Sequence, residues 1–438
     1  MALGLHESQE DRFTAHDDRA AVLNEVHARP FMPIATPARL LQFGFLTSPS
    51  QSDDDRNWLS RFCETRGREE VPVEARHHRT QLDGCSLRWE RHNEFTTYCW
   101  YFQPEEGDDM SCEPSRLHAR MADVRQPGPH LVSIDMHIVD KANAPDFEGV
   151  FARESLCVMT AEKGEVVVAT DFKADAYGFV RILVVNNGIN PMRMGALAQR
   201  LLELETYRLL ALLCLPEAHR LEPSVRRIEQ DLVAATQAMT QADTLEDNER
   251  LLEQLVMLAA KLEAGAARAL YRFGASRAYQ NIVLGRIAAI NLEAVPDRES
   301  FTTFLNRRMA PALQTCFSIE ERQINLSRKL ARATQLLRAK VDVAIERQNR
   351  DILQTVSERA QLQLRLQQTV EGLSIAAVSY YVVGLLGYIL KGLGHSVFHF
   401  NAELALAFLI PFTVAAVAMV VRTRTKHVHH ALVNERIQ

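Results

Sequence analysis

Two apolar runs near the end of the chain are its clearest pattern. Leu373–Leu390 and Leu404–Val421 are each 18 residues long and contain no charged side chain. As helices they extend about 27 Å, close to the roughly 30 Å of a bilayer's hydrocarbon core. Pro411 is compatible with such a helix, because neighbouring helices can satisfy the freed backbone groups. The pattern predicts a transmembrane hairpin over 373–421, with two core helices of a soluble protein as the alternative.

The first part of the chain has strand-like patterning. β-Branched and aromatic residues are frequent, with apolar and polar positions alternating in places, which is typical of strands. We expect seven strands, near Arg39–Leu46, Cys85–Arg91, Phe95–Phe102, His130–Val139, Ser155–Thr160, Val166–Phe172 and Phe179–Val185. Ala161-Glu162-Lys163-Gly164 is expected to form a hairpin loop, with glycine supplying a positive φ.

The patterning becomes helical at Asn190-Pro191. Asn190 can cap a helix, and proline is favoured at the first helical position. Pro223, Gly274 and Pro296 are expected to divide the segment. The predicted helices are Pro191–Leu215, Ser224–Met239, Leu245–Phe273, Ser276–Leu292 and Arg298–Met309. Together with the strands they predict an α+β protein.

A long stalk helix is expected to lead into the first apolar run. No glycine or proline occurs from Ala312 to Glu371, and Ser318 with Glu321 has capping-box spacing. One apolar face runs along this helix with a mean period nearer 3.6 than 3.5, which allows supercoiling without dictating it. Its members are Leu326, Leu330, Ala333, Leu337, Val341 and Ala344. The sequence leaves open whether this face packs within one subunit or between subunits.

These patterns divide the chain into five parts. A mixed α/β cytoplasmic domain is expected over 1–189 and a helical region over 190–317. The stalk helix is expected over 318–372, the transmembrane hairpin over 373–421, and a basic cytoplasmic tail over 422–438.

Basic residues around the two runs predict their orientation. The linker between the runs carries only Lys391, whereas arginine and lysine residues lie outside both runs: Arg359, Arg365, Arg422, Arg424, Lys426 and Arg436. Positive residues favour the cytoplasmic side, so both termini are expected there. Met1–Asp18 is largely polar and does not have the pattern of a signal peptide.

The composition of this 438-residue chain limits the classes of partner that are expected. The formal net charge is −5 and the pI about 6.3, without the basic footprint of a nucleic-acid-binding protein. Seven cysteines occur without any C-x-x-C pair, so free thiols are expected rather than disulfides or a zinc ribbon. No cofactor is expected, and any cytoplasmic ligand is unknown.

Three motifs together resemble a known family. Asn24-Glu25-Val26-His27-Ala28-Arg29-Pro30, Glu205-Thr206-Tyr207-Arg208 and Leu366–Ser374 are similar to the bacterial domain-of-unknown-function-3422 family. The resemblance covers nearly the whole chain. It implies a membrane-anchored bacterial protein, expected in the inner membrane, and it supplies no activity.

A looser likeness is to the CorA-type divalent-cation transporters. Their order of elements is similar: a mixed cytoplasmic domain, a stalk helix that becomes the first span, a short loop and a second span. That family carries Gly-Met-Asn at the outer end of the first span. This chain has Gly387-Tyr388-Ile389-Leu390-Lys391-Gly392 instead, so the ion-selectivity element does not carry over.

Candidate functional residues lie on the first span and in the loop after it. Tyr380, Gly384 and Gly387 share one helix face, which is expected to pack against other subunits rather than line a pore. The outer loop adds Lys391, His395, His399 and Glu403. These four residues would lie at a pore mouth, where they could attract a cation, or would be ordinary loop polarity. Metal binding there is left open.

Other polar residues have weaker signals. The basic tail contains His427, His429 and His430. A histidine cluster can bind metal, but the preferred interpretation is a solvated tail that is attracted to anionic headgroups. His27 and Arg29 suit an anion, although a fold-stabilising contact is preferred. Surface positions are expected for His77 and His78, and a local pair for Glu205 and Arg208.

No nucleophile elbow, phosphate-cradling loop or metalloprotease motif is present, so no enzyme activity is expected. The sequence therefore predicts a homo-oligomeric, membrane-anchored binding or sensing module. A CorA-like cation channel or transporter is the alternative.

Overall fold

The computed structural model describes residues 16–19, 22–23, 31–103, 125–394, 407–421 and 423. They form a mixed sheet and a set of long helices, which confirms the predicted α+β class. The chain divides into two compact units. Unit 1 consists of Met1–Thr240 and Glu253–Thr334, and unit 2 of Gln241–Leu252 and Gln335–Gln438.

Within the described part of the chain, nine strands form one sheet. They are β1 Ala38–Leu46, β2 His77–Leu82, β3 Cys85–Arg91, β4 Phe95–Phe102, β5 His130–Asp140, β6 Cys157–Ala161, β7 Val166–Thr170, β8 Val180–Asn186 and β9 Glu293–Ala294. The spatial order is β2-β3-β4-β1-β5-β8-β7-β6-β9. β5 and β8 pair in parallel, and the other neighbours pair antiparallel.

All seven predicted strands are present near their predicted bounds. The hairpin loop is also confirmed, and Gly164 has a φ of 86° while Glu162 and Lys163 also have positive φ. The sequence interpretation did not include β2, an edge strand of mostly polar residues, or β9, which has only two residues. Neither strand has the apolar alternation that marks a buried sheet face.

Helix α1, Pro49–Glu64, covers one face of the sheet. A capping box starts it: the Ser48 hydroxyl accepts from the Gln51 amide, and the Gln51 side chain accepts from the Ser48 amide. Leu59 and Phe62 of this helix pack in one buried cluster with Trp89 and Trp100 of the sheet. The sequence interpretation did not include α1.

The opposite face is covered by α3, Pro191–Leu212, which follows the short helix α2, Phe147–Val150. Asn190 caps α3 and Pro191 opens it, as predicted. A Cβ on Gly195 would lie 1.7 Å from the Met32 carbonyl oxygen. Only glycine therefore lets α3 approach this segment so closely.

Three long helices follow: α4 Cys214–Gln241, α5 Leu245–Ile290 and α6 Phe301–Gly394. The predicted break at Pro296 is confirmed, but the breaks at Pro223 and Gly274 were wrong, because α4 runs through Pro223 and α5 through Gly274. Helix α6 contains Pro311 and also runs through the predicted gap between Met309 and Ser318. A single glycine costs a helix only about 1 kcal/mol, which packing readily outweighs. The stalk therefore has no separate start at Ser318.

Ion pairs join these helices within unit 1. Arg322 donates to Glu229 at 2.6 Å, and Arg277 donates to Glu320 at 2.5 Å. Glu94, between β3 and β4, accepts from Arg272 at 2.8 Å and from Tyr279 at 2.6 Å, which ties the sheet to α5.

The apolar face predicted on the stalk is buried within the chain. Leu330 and Leu337 are fully buried, Leu326 and Val341 nearly so, and Ala344 is partly exposed. In unit 2 the Lys340 ammonium donates to the carbonyl of Ala242, at the end of α4. The open question of where this face packs is thus answered up to Ala344.

The predicted transmembrane hairpin is not confirmed. Among the residues that the structure describes, one helix is long and apolar enough to cross a membrane, over Phe301–Lys391, with a mean hydropathy of 1.9 in its most apolar window. The second apolar helix, α7, is described over Ala407–Val421 and is shorter than a full span.

Candidate functional site

The C-terminal half of α6 is uncovered. Every residue from 345 to 370 is exposed, whether polar or apolar. Leu353 and Leu366 are 68% and 66% exposed. The most apolar window of α6 lies beyond this stretch, and only 6% of that window is buried. A core helix of a globular protein buries its apolar stripe, so this half of α6 needs a different partner.

The residues predicted for membrane packing lie on this uncovered part. Tyr380 is 78% exposed, and a Cβ on Gly384 would meet no atom within 4 Å. Gly387 is partly exposed and Lys391 is exposed. The face is thus open for another helix to approach, and its role in packing stays a prediction.

The most buried residue of this apolar segment lies on a different strip. Ser379 is only 4% exposed, and Ile375 and Leu386, on the same strip, are partly buried. The residues that cover this strip belong to the same chain, and they leave the face of Tyr380 and Gly384 open.

Several predicted residues lie outside the described part of the chain. They are His27, Arg29, His395, His399, Glu403, His427, His429 and His430. The motif from Asn24 to Pro30 lies outside it as well. The pore-mouth and tail hypotheses therefore stay predictions.

A buried charged group lies in the centre of the sheet. Arg39 on β1 donates to both carboxylate oxygens of Asp135 on β5, at 2.9 and 2.7 Å. His137 Nε2 lies 3.0 Å from the same carboxylate. Burial alone raises the pKa of Asp135, but His137 and Arg39 outweigh it and lower that pKa to about 2. The group is compensated internally.

A second buried carboxylate has the opposite character. Asp55 on α1 accepts from the Tyr98 hydroxyl at 2.6 Å and from the Trp89 indole at 2.8 Å. Burial raises its pKa to about 6, although both hydrogen bonds lower it. A perturbed carboxyl is a functional candidate. Here both oxygens are already bonded to core side chains, which fits a role in holding α1 on the sheet.

The sequence interpretation missed both carboxylates. Asp135 could have been found from the sequence of β5. In this otherwise apolar strand the polar residues Ser133, Asp135 and His137 alternate with apolar ones and so share one face. Asp55 gave no such signal, because its helix was not recognised.

The Glu205–Arg208 motif is structural in the described fold. Arg208 donates to both oxygens of Glu205, at 2.7 and 2.6 Å, so the predicted local pair is confirmed. Thr206 accepts from Gln42 of β1 at 2.7 Å, and the Tyr207 ring lies 5.5 Å from that of Tyr279. The motif therefore joins α3 to the sheet and to α5.

The two adjacent histidines differ from each other. His77 is exposed, as predicted, whereas His78 is partly buried with its Nε2 3.8 Å from Cys63 Sγ. The surface prediction was thus wrong for His78, because side chains alternate along β2 and this one faces α1. Within the described ranges, no three His, Cys, Asp or Glu side chains form a group that could hold a metal ion. The cysteines described are free and buried.

One polar cleft of about 400 Å³ opens beside the start of α1. Its charged lining includes Arg76, Arg91 and Glu74, together with His92. Arg91 also donates to Asp53 at 2.6 Å. The cleft can accept a small polar ligand, since both signs of charge line it.

Comparison with curated proteins finds no match to the chain. The looser likeness to CorA-type transporters therefore gains no support. The family model described as a protein of unknown function (DUF3422) matches residues 14–428, nearly the whole chain. The chain therefore belongs to the DUF3422 family, as its three motifs predicted.

Proposed function

We propose that the protein is a membrane-anchored, self-associating module whose sheet and helical bundle lie in the cytoplasm. The observation that carries the proposal is the uncovered, apolar second half of α6. Each large apolar side chain taken out of water stabilises by about 1.5–3 kcal/mol. Leu373, Tyr380 and Leu385 are all more than 60% exposed, so the gain from covering them is large.

Lipid is the cover proposed for the apolar window. A helix satisfies its own backbone groups, so it is stable in hydrocarbon. The apolar helix Ala407–Val421 and the basic residues outside both runs support a second span. With two spans, both termini lie in the cytoplasm.

Lipid does not account for the stretch from 346 to 371. It carries Arg347, Asp351, Glu358 and Arg365, which favour water. The same stretch exposes Ile352, Val356 and Leu366. Other copies of the helix are the cover proposed here, which makes the protein a homo-oligomer.

The proposed task of the cytoplasmic part is binding or sensing rather than catalysis. The polar cleft lined by Arg76, Arg91 and Glu74 is the proposed ligand site. The buried carboxylates Asp55 and Asp135 are each bonded within the fold, so we assign them a structural role.

Membrane extraction tests the anchor. The full chain and a version ending at Gln368 are compared after washing membranes with alkaline carbonate. We expect the full chain to stay in the membrane until detergent is added, and the shortened chain to be soluble. A full chain released by carbonate would contradict the anchor.

Topology is tested separately with a reporter that is active only outside the cytoplasm, fused after Gln438. We expect an inactive reporter. An active one would contradict the two-span arrangement.

A further inference from the structure

The open part of α6 has a seven-residue repeat. Starting at Ile345, positions reached by alternating steps of four and three residues end at Lys391. We name these positions the seam. None of them is buried: all are exposed except Gly387, which is partly exposed. A strict period of 3.5 is typical of helices that supercoil around one another, and it differs from the 3.6 period of the face buried before Ala344.

The water-facing part of the seam is mainly apolar. Its apolar members are Ile345, Ile352, Val356, Leu366, Val370 and Leu373. Three polar residues, Asn349, Arg359 and Gln363, interrupt them. Such polar positions are known to fix the register and number of strands in coiled coils at some expense of stability.

Most charges of the water-facing part lie away from the seam. Between residues 346 and 371, Glu346 flanks the seam and Arg359 lies on it. The other charged side chains are on the outer face: Arg347, Arg350, Asp351, Glu358, Arg365 and Glu371. A second helix can therefore approach the seam without burying a row of like charges, which would oppose pairing.

We infer that two copies of the chain pair along the seam as a parallel, in-register coiled coil. The inference rests on the proposed function, because a shared membrane anchor gives every copy the same orientation. A seam facing its own copy in register is self-complementary, since each apolar layer meets the same layer.

The side chains nearest the apolar window favour two strands over more. Val356 and Val370 occupy one of the two seam positions in the repeat, and Leu366 and Leu373 occupy the other, which Ile345 and Ile352 share further from the window. β-Branched residues at the first position and leucine at the second favour parallel pairs, so the segment from Val356 to Leu373 carries the preference for two strands. Arg359 fits a pair as well, because its stem can cross the narrow contact while its guanidinium reaches water.

The pairing extends into the apolar window. Ala377 and Gly384 are seven residues apart on the seam, and Gly387 follows. Small side chains let helix backbones approach closely in lipid. Ser379 is covered by other residues of the same chain, and the strip on which it lies is not part of the seam. One continuous contact of about 70 Å therefore joins the water-facing and apolar parts.

Cysteine crosslinking in membranes tests the pair. The variants Ile352→Cys and Leu366→Cys place a thiol on the seam. Gln354→Cys and Gln368→Cys are matched controls two residues further along, on the outer face. After mild oxidation, we expect about tenfold more covalent dimer from the seam variants than from the controls, since only the seam brings a residue to its own copy. The wild-type chain, with its seven native cysteines, sets the background.

Two results would overturn the inference. One is equal crosslinking of seam and control variants, or none on the seam, in protein that resists carbonate extraction. In that case the anchor stands and the pairing fails. The other is a particle mass of three or more 49.5 kDa chains in lipid nanodiscs, which would contradict two strands. Release of the protein by carbonate would instead contradict the proposed function, because the membrane anchor would be absent.

Discussion

The two halves of α6 belong to one helix but find their partners differently. Before Ala344, Leu330 and Leu337 are fully buried among residues of the same chain. From Ile345 to residue 370 no residue is buried, although Leu353 and Leu366 are equally apolar. An apolar face therefore does not by itself indicate what covers it. The period of the face and the placement of charges around it carry that information.

Charged groups follow the same division. In the sheet, Asp135 is held by Arg39 and His137, so the folded part compensates its charges internally. Along the second half of α6 most charges face outward, and Arg359 is the one charged residue of the seam between residues 346 and 371. We therefore expect changes in the folded part to alter unfolding, and changes on the seam to alter association.

The largest expected effect is on the sheet. Arg39→Met leaves the Asp135 carboxylate buried without its bidentate partner, which should cost about 3–5 kcal/mol in the free energy of unfolding. Urea unfolding followed by tryptophan fluorescence measures this, because all three tryptophans, Trp58, Trp89 and Trp100, lie in or beside the sheet. The double variant with Asp135→Asn should regain most of the loss. If the free energy of unfolding of Arg39→Met were unchanged, this would contradict the claim that the folded part compensates its buried charges internally.

Two adjacent leucines of α6 give a matched test of its buried half. Leu337 is fully buried and Leu336 is 68% exposed. Leu337→Ala should cost about 2–5 kcal/mol, whereas Leu336→Ala should stay within about 0.5 kcal/mol. Thermal unfolding followed by circular dichroism in detergent compares them. Equal effects would show that the face up to Ala344 is not packed within the chain.

A pH effect should be confined to the folded part. Burial raises the pKa of Asp55 from 3.8 to about 6, so the unfolded chain releases this proton first. The contribution of Asp55 to stability should then be complete below about pH 4 and fall by about 2–3 kcal/mol as pH rises to 6. Asp135, with its pKa lowered to about 2, acts in the opposite sense at lower pH, because its stabilisation is lost as pH falls from about 4 to about 2.

Asp55→Asn is the control, because it keeps the shape without the charge. It should remove the fall in stability between pH 4 and 6 in urea unfolding, while self-association stays unchanged. The same slope in both proteins would contradict the assignment to Asp55.

The smallest expected effect is on the apolar seam. Replacing Gly384 and Gly387 by leucine should weaken helix association by about 1–2 kcal/mol, because the backbones can no longer approach closely. Dilution of labelled protein in lipid, followed by energy transfer, measures this. Unfolding of the sheet should not change, and unaltered association would remove these glycines from the contact.

Much of the fold could be predicted from local patterns. The strands were found because β-branched and aromatic runs fit a buried sheet, and Asn190-Pro191 gave the start of α3. The predicted breaks at Pro223 and Gly274 failed because tertiary packing outweighs local preference. Helix α1 was missed although Ser48 and Gln51 have capping-box spacing.

The candidate sites were less predictable. Tyr380, Gly384 and Gly387 were recognised from helical spacing alone, but the repeat that links them to Ile345 became meaningful only once exposure separated the two halves of α6. Asp55 and Asp135 depend on contacts between residues far apart in sequence. Their partners Tyr98 and Arg39 follow from sheet register and helix packing, which local patterns do not specify.

Hydrogen exchange of the full chain in lipid nanodiscs compares the two halves of α6 most directly. Peptides covering 326–341 report the half that is packed within the chain, and peptides covering 373–390 report the apolar half. We expect the second set to exchange at least as slowly as the first, because lipid and a second copy exclude water from it. Exchange of 373–390 within seconds, as for an unsupported helix, would contradict both the anchor and the pairing.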